Sequence, residues 1–269
     1  MELKIYRHLW GVAEPWEPVY PKIKAAGYDG IETSLPAVEQ EAAFMEQMAQ
    51  HGFSYMPMLF TGGRSVDEHL QSFREQLQRA VALGVGCVTS HSGADGFSRE
   101  DSLRFFQEAV RIERDLGVRV GHETHRGRIL FNPWITEYIL REVEGVRLCA
   151  DFSHWVCVCE RMLNREGEIV KLAASRTVHI HARVGYEEGP QVPDPRAPEF
   201  ESYLLRHEAW WDMIWAEQRK QEAQVSTLTP EFGPPNYMHV LPYTRQPVAD
   251  LWEICNWQAA RQRARFSPA

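Results

Sequence analysis

The chain has 269 residues, 44% of them hydrophobic and 25% charged, with a formal charge of −8 at pH 7. That length suits one large α/β domain, and the acidic balance offers no basic surface for a phosphate backbone, which argues against a nucleic-acid partner. No window reaches the roughly 18 apolar residues of a membrane helix, and the opening MELKIYRHLWGV lacks the pattern of a secretory leader, so a cytoplasmic protein without membrane contact is expected. The five cysteines include no CxxC pair, and Cys157 and Cys159 are their only close neighbours; this usage fits reduced thiols in a cytoplasmic protein.

Strand-like and helix-like segments alternate along the chain. The strand-like runs are LKIYRHL, GYDGIETSL, FSYMPMLF, GVGCVTSHS, VRVGHETH, VRLCADFS, TVHIHARV and VSTLTPEFG. Between the third and fourth, Leu70, Phe73, Leu77 and Val81 recur at three- and four-residue steps, and Gly84 closes the segment as a helix C-cap would. DSLRFFQEAVRIERDLG repeats the pattern, with Asp101 as an expected N-cap and Gly117 at its end. Residues 210, 211 and 215 are tryptophans in the segment before the last strand, in core or at an interface, and VADLWEICNWQAARQRARF reads as a closing helix. Eight strand–helix units imply parallel pairing through right-handed crossovers, and in this length they predict a single (β/α)8 TIM barrel occupying residues 1–269. A long proline-rich loop, from Gly185 to about Pro198, follows the seventh strand and is expected to lie over the mouth.

In a barrel of this kind the chemistry sits where strands end. The fifth strand ends in Glu123, the sixth in Asp151 with His154 three residues on, the seventh in His181 and the eighth in Glu231. A lone strand-end carboxylate is commonly a helix cap, and Asp151 could be one. Four consecutive strand ends of ligand type are a different matter, because converging carboxylates repel unless a cation lies among them. Three oxygen donors and an imidazole suit one divalent ion, Mn²⁺ first, with Mg²⁺, Co²⁺ and Zn²⁺ as alternatives. His179, His181 and Arg183 share one strand parity and form a column with steps of roughly 6–7 Å. His181 is the expected ligand, His179 lies one step deeper in the barrel, and Arg183 one step above. There it would hold a substrate group or pair with Glu187 or Glu188.

The order E…DxxH…HxH…E on strands five to eight resembles the xylose isomerase-like TIM-barrel superfamily of sugar isomerases, epimerases, inosose dehydratases and apurinic endonucleases. The resemblance implies Glu123, Asp151, His181 and Glu231 as metal ligands, Glu123 and Glu231 as the proton-transferring pair, and His154 as a contact to substrate oxygens. It also implies that Glu32 and His91 line the pocket. Trp10, Trp155 and Tyr237 lie near the mouth in sequence and could pack on a sugar face. Two departures qualify the likeness. Ketose epimerases of this superfamily carry an arginine about six residues after the second histidine of HxH, where this chain has Glu187. The trinuclear nucleases add a histidine after the third strand and a DxH pair after the seventh, where this chain has MPMLF and PDP.

The implied activity is that of a mononuclear, metal-dependent isomerase or epimerase of a small keto-sugar, polyol or related keto acid, working by glutamate-mediated proton transfer through an enediolate. The alternative is a dehydratase or lyase on a keto-inositol or 3-keto-glycoside. Less favoured are an apurinic endonuclease and a non-catalytic sugar-binding barrel. The expected partner is a small carbohydrate-like molecule, and many members of the superfamily are homo-oligomers.

Overall fold

The computed structural model describes residues 1–266. Eight parallel strands form a closed barrel in sequence order: β1 (Glu2–His8), β2 (Gly30–Ser34), β3 (Ser54–Phe60), β4 (Cys87–His91), β5 (Arg119–Glu123), β6 (Leu148–Ala150), β7 (Thr177–His181) and β8 (Val225–Thr229). Closure comes from β1, which pairs with β2 at Tyr6–Gly30 and with β8 at Glu2–Val225. The helices are α1 (Trp16–Ala25), α2 (Glu41–His51), α3 (Val66–Ala82), α4 (Arg99–Leu116), α5 (Pro133–Glu142), α6 (Phe152–Cys159), α7 (Gly167–Ser175), α8 (Glu201–Lys220) and α9 (Leu251–Arg265).

The helix boundaries follow local chemistry. Ser98, not the expected Asp101, caps α4: its hydroxyl accepts the Asp101 amide at 3.0 Å, placing Asp101 inside the first turn, where its charge favours the helix dipole. Gly117 ends α4 with φ of 66°, a conformation that suits glycine. Leu70, Phe73 and Leu77 of α3 are buried as their spacing requires. Trp210, Trp211 and Trp215 are buried core on α8. All five cysteines are free, and among the described residues no helix is long and apolar enough to cross a membrane.

Strand parity decides what faces the barrel axis. Val120, Leu148, Ile180 and Leu228 join the apolar core between sheet and helices. The alternate positions on the same strands, Glu123, His179, His181, Thr227 and Thr229, meet one another inside the barrel and make its upper layers polar.

Candidate active site

Glu123 ends β5, Asp151 follows β6, His181 ends β7 and Glu231 lies two residues past β8. Each offers one donor atom, these atoms lie within 4.8 Å of one another, and all four residues are buried. Nδ1 of His181 is 3.3 Å from Glu123 Oε1 and 3.0 Å from Glu231 Oε2. Asp151 is a helix cap as well as a member of the cluster. Its Oδ1 accepts the Ser153 amide at 3.0 Å, capping α6, while Oδ2 accepts from Arg183 Nε at 3.0 Å.

Beneath this cluster lies a layer that fixes it. Glu32, expected in the pocket wall, is instead fully buried below His181, with Oε1 3.0 Å from His181 Nε2 and accepting from the Thr89 hydroxyl at 2.7 Å. Its Oε2 is 3.2 Å from His179 Nε2 and accepts from the Thr229 hydroxyl. His179 is anchored on its other nitrogen, 2.7 Å from the Thr227 hydroxyl. Burial alone would push the Glu32 carboxyl up, but His181 and His179 hold it well below the usual range. An ionised Glu32 accepting from Nε2–H turns His181 Nδ1 to the cluster, where its lone pair becomes available once the ring gives up its second proton.

The upper layer is electrostatically unfinished. Burial, opposed by His181 and reinforced by Glu231 and Asp151, raises the Glu123 carboxyl to about 7. Glu231 goes the other way: burial opposes its ionisation, yet His181 and Arg183 hold it far below the ordinary range. Burial likewise disfavours a charged His181, and the surrounding Glu231, Glu32 and Glu123 outweigh it, raising its pKa well above normal. Both oxygens of Glu123 and Nδ1 of His181 are buried without a hydrogen bond. His91 Nε2 comes within 2.5 Å of Glu123 Oε2, but no hydrogen bond forms. Both Glu123 oxygens and the His181 Nδ1, buried without a hydrogen bond beside two further carboxylates, are a fit for a divalent cation, which would satisfy them at once. Glu123, Asp151, His181 and Glu231 are the residues that could hold it.

Arg183 does not stand over the mouth, and it does not reach Glu187 or Glu188. It is 1% exposed and folds back onto the cluster, donating from Nε to Asp151 and from Nη2 to Glu231. The reason is charge: buried carboxylates need a counter-ion, and a guanidinium fork reaches two of them. Its Nη1 is buried without a hydrogen-bond partner.

Above this floor opens a cavity of about 500 Å³, lined by Leu9, Trp10, Thr33, Ser34, Met58, Phe60, His91, His125, Arg128, Arg183, Glu231 and Tyr237. Trp10 lies edge-on to Tyr237, with centroids 4.9 Å apart, and covers Gly233, where a Cβ would stand 2.2 Å from the indole ring. His154 is fully buried beside the cluster, its Nε2 3.6 Å from Asp151 Oδ2. Trp155 is not at the mouth: it is fully buried, stacked near Phe152, and donates to the Leu130 carbonyl at 2.9 Å. An apolar helix face turned to the barrel claims it, whereas Trp10 lies on a loop. The long loop after β7 also departs from expectation, since none of residues 185–198 lines the cavity. It turns on itself through paired Tyr186–Gly189 amide bonds and is tied to Gly233 by both ends of the Gln191 amide.

Sequence reasoning missed His125 and Arg128. His125 is packed between His91 and His154, at ring distances of 4.6 and 4.0 Å. Its signal was the shared parity with Glu123 in HETH. Arg128 had none, because it reaches the cavity from a loop.

The fold is a (β/α)8 barrel with a buried cluster of candidate ligands at its strand ends, and comparison with known proteins gives its family. Residues 21–199 match the family model for the xylose isomerase-like TIM barrel, and the chain belongs to that family. Among curated proteins it is 30% identical over 79 residues to the probable endonuclease 4 of Geobacter sulfurreducens, a match spanning 29% of this chain and 27% of that protein. A D-allulose 3-epimerase from Methylomonas sp. superposes with a TM-score of 0.62 at 16% identity, covering 98% of both chains. A probable 3-DHS dehydratase from Bacillus anthracis does so at 0.63 and 12% identity, covering 98% of this chain and all of that one.

Proposed function

We propose that the chain, acting as one domain over residues 1–269, is a mononuclear metal-dependent isomerase or epimerase of a small keto-sugar, polyol or keto acid. The observation that carries this reading is the buried convergence of Glu123, Asp151, His181 and Glu231, with both Glu123 oxygens and His181 Nδ1 left without a hydrogen bond. A divalent ion, Mn²⁺ first, would polarise a substrate carbonyl and stabilise the enediolate that follows deprotonation. The protein's own groups supply the proton traffic. Glu231, kept ionised beside Arg183 and His181, accepts a proton from the carbon next to the carbonyl. Glu123, the second glutamate of the cluster, is the group placed to return one. The unpartnered Nη1 of Arg183 gives a developing oxyanion a fixed donor, and Trp10 and Tyr237 exclude water over a sugar face. Both the epimerase and the dehydratase among the structural neighbours are compatible with that first deprotonation. The end product decides between epimerisation, isomerisation and loss of a β-hydroxyl. Phe60, at the β3 end where the trinuclear nucleases carry a histidine, speaks against the nuclease reading.

The test has two parts. Elemental mass spectrometry of the purified wild type and His181→Ala should find about one divalent ion per chain, lost in the variant. Metal-loaded protein in D₂O with a panel of keto-sugars should then incorporate deuterium beside the carbonyl, and Glu123→Gln and Glu231→Gln should not. Absence of metal after reloading, or exchange that survives both substitutions, would defeat the proposal; an enone absorbance would assign the dehydratase.

A further inference from the structure

The cavity holds two arginines, and they differ in one respect. Arg183 is neutralised by Asp151 and Glu231. Arg128 has no carboxylate within ion-pair distance among the described residues; its nearest acidic influences, Glu123 and Asp95, act only at longer range. Its Nη1 is spent on two backbone carbonyls, donating to Thr61 at 2.9 Å and to Gly93 at 3.1 Å. These bonds splint the side chain across the loops that follow β3 and β4. Nε and Nη2 make no hydrogen bond to the protein among the described residues, and they form the side-on fork that matches a planar two-oxygen acceptor. Burial already presses on the charge of this guanidinium. A cation held rigidly at a cavity wall, with its fork unused, is a binding element awaiting an anion.

We infer that Arg128 is the anion-recognition residue of this site and that the substrate carries a carboxylate, held on that guanidinium outside the four-residue cluster. This rests on the proposed function, because it places the reacting end of the substrate at the four-residue cluster. The cavity wall mixes the two kinds of surface: Arg128, Arg183, Glu231, His91, Thr33 and Ser34 are its polar part, and Met58, Phe60 and Leu9 its apolar part. A small polyhydroxylated acid suits that pattern, and the volume of about 500 Å³ admits one. A carboxylate is favoured over a phosphate because a single fork is offered: no lysine lines the cavity, and the one other guanidinium there is already paired.

The experiment is calorimetric binding to the metal-loaded protein, wild type beside Arg128→Met and Arg128→Lys. The probes are aldonates, uronates and keto acids of four to seven carbons, each with its neutral parent sugar or amide and its phosphate ester. Carboxylates should bind wild type roughly tenfold or more tighter than their neutral counterparts, as loss of a charge-assisted pair implies. Arg128→Met should erase that preference, Arg128→Lys should restore part of it, and Mn²⁺ affinity should be unchanged in both. Acids binding no better than neutral parents, a preference that survives in Arg128→Met, or phosphate esters binding tightest would overturn the inference. Failure to bind Mn²⁺ would strike the proposed function instead, and the metal titration separates the two.

Discussion

Replacing Arg183 by methionine keeps the length of the stem and removes the charge that Asp151 and Glu231 share. In metal-free protein the two carboxylates would then face each other and Glu123 across a few ångströms of low-dielectric interior, since all four cluster residues are buried and their donor atoms lie within 4.8 Å. Removing one partner of a buried ion pair costs about 3–5 kcal/mol. At roughly 2–4 °C per kcal/mol for a chain of this size, the melting temperature should fall by about 6–20 °C. A bound divalent ion takes over the same two carboxylates, so in the metal-loaded protein the loss should shrink to well under half. Calorimetric melting of wild type and Arg183→Met, each in chelator and in saturating Mn²⁺, reads both numbers. Equal losses with and without metal would show that Arg183 acts through packing, and the account of the cluster as an uncompensated anionic site would fail.

Glu32→Gln should leave the fold intact and weaken metal binding roughly 10–100-fold, because His181, the proposed ligand, loses the ionised acceptor that fixes its tautomer; competition with a chelating dye measures this. Metal affinity should climb steeply with pH up to about 7, because binding must displace protons from both Glu123 and His181, and less steeply above it, where His181 alone still carries one; titration in buffers of differing ionisation enthalpy counts them. The metal-free protein should behave in the matching sense. The Glu123 carboxyl is raised from its ordinary 4.5 to about 7, so the contribution is fully present below the ordinary value and lost as pH rises through 7. Chemical denaturation at stepped pH should show that loss, and added metal should abolish it. Ser98→Ala should cost about 1 kcal/mol by uncapping α4, without altering metal affinity, as urea denaturation would show.

The sequence by itself determined the barrel and the chemical identity of its rim. Alternation of strand-like and helical runs requires crossovers, and eight of them close the sheet. Period-two parity places His179, His181 and Arg183 on one face, and it brings Glu123, Asp151 and Glu231 to the ends of neighbouring strands, because side-chain direction along a strand is a local property. What parity leaves open is which layers of distant strands meet. Glu32 lies 149 residues before His181, and only the stagger of the closed barrel sets it directly beneath that imidazole. The same holds for Arg183, whose direction was legible but whose partners were not: the loop carboxylates Glu187 and Glu188 are nearer in sequence, yet the buried pair from β6 and β8 claims it. Trp10 and Trp155 look alike as aromatic residues after strands, and packing alone separates a cavity wall from a core. Arg128 belongs wholly to the tertiary structure. Its fork is aimed by carbonyls of Thr61 and Gly93, 67 and 35 residues away, and no local pattern records contacts made across that distance.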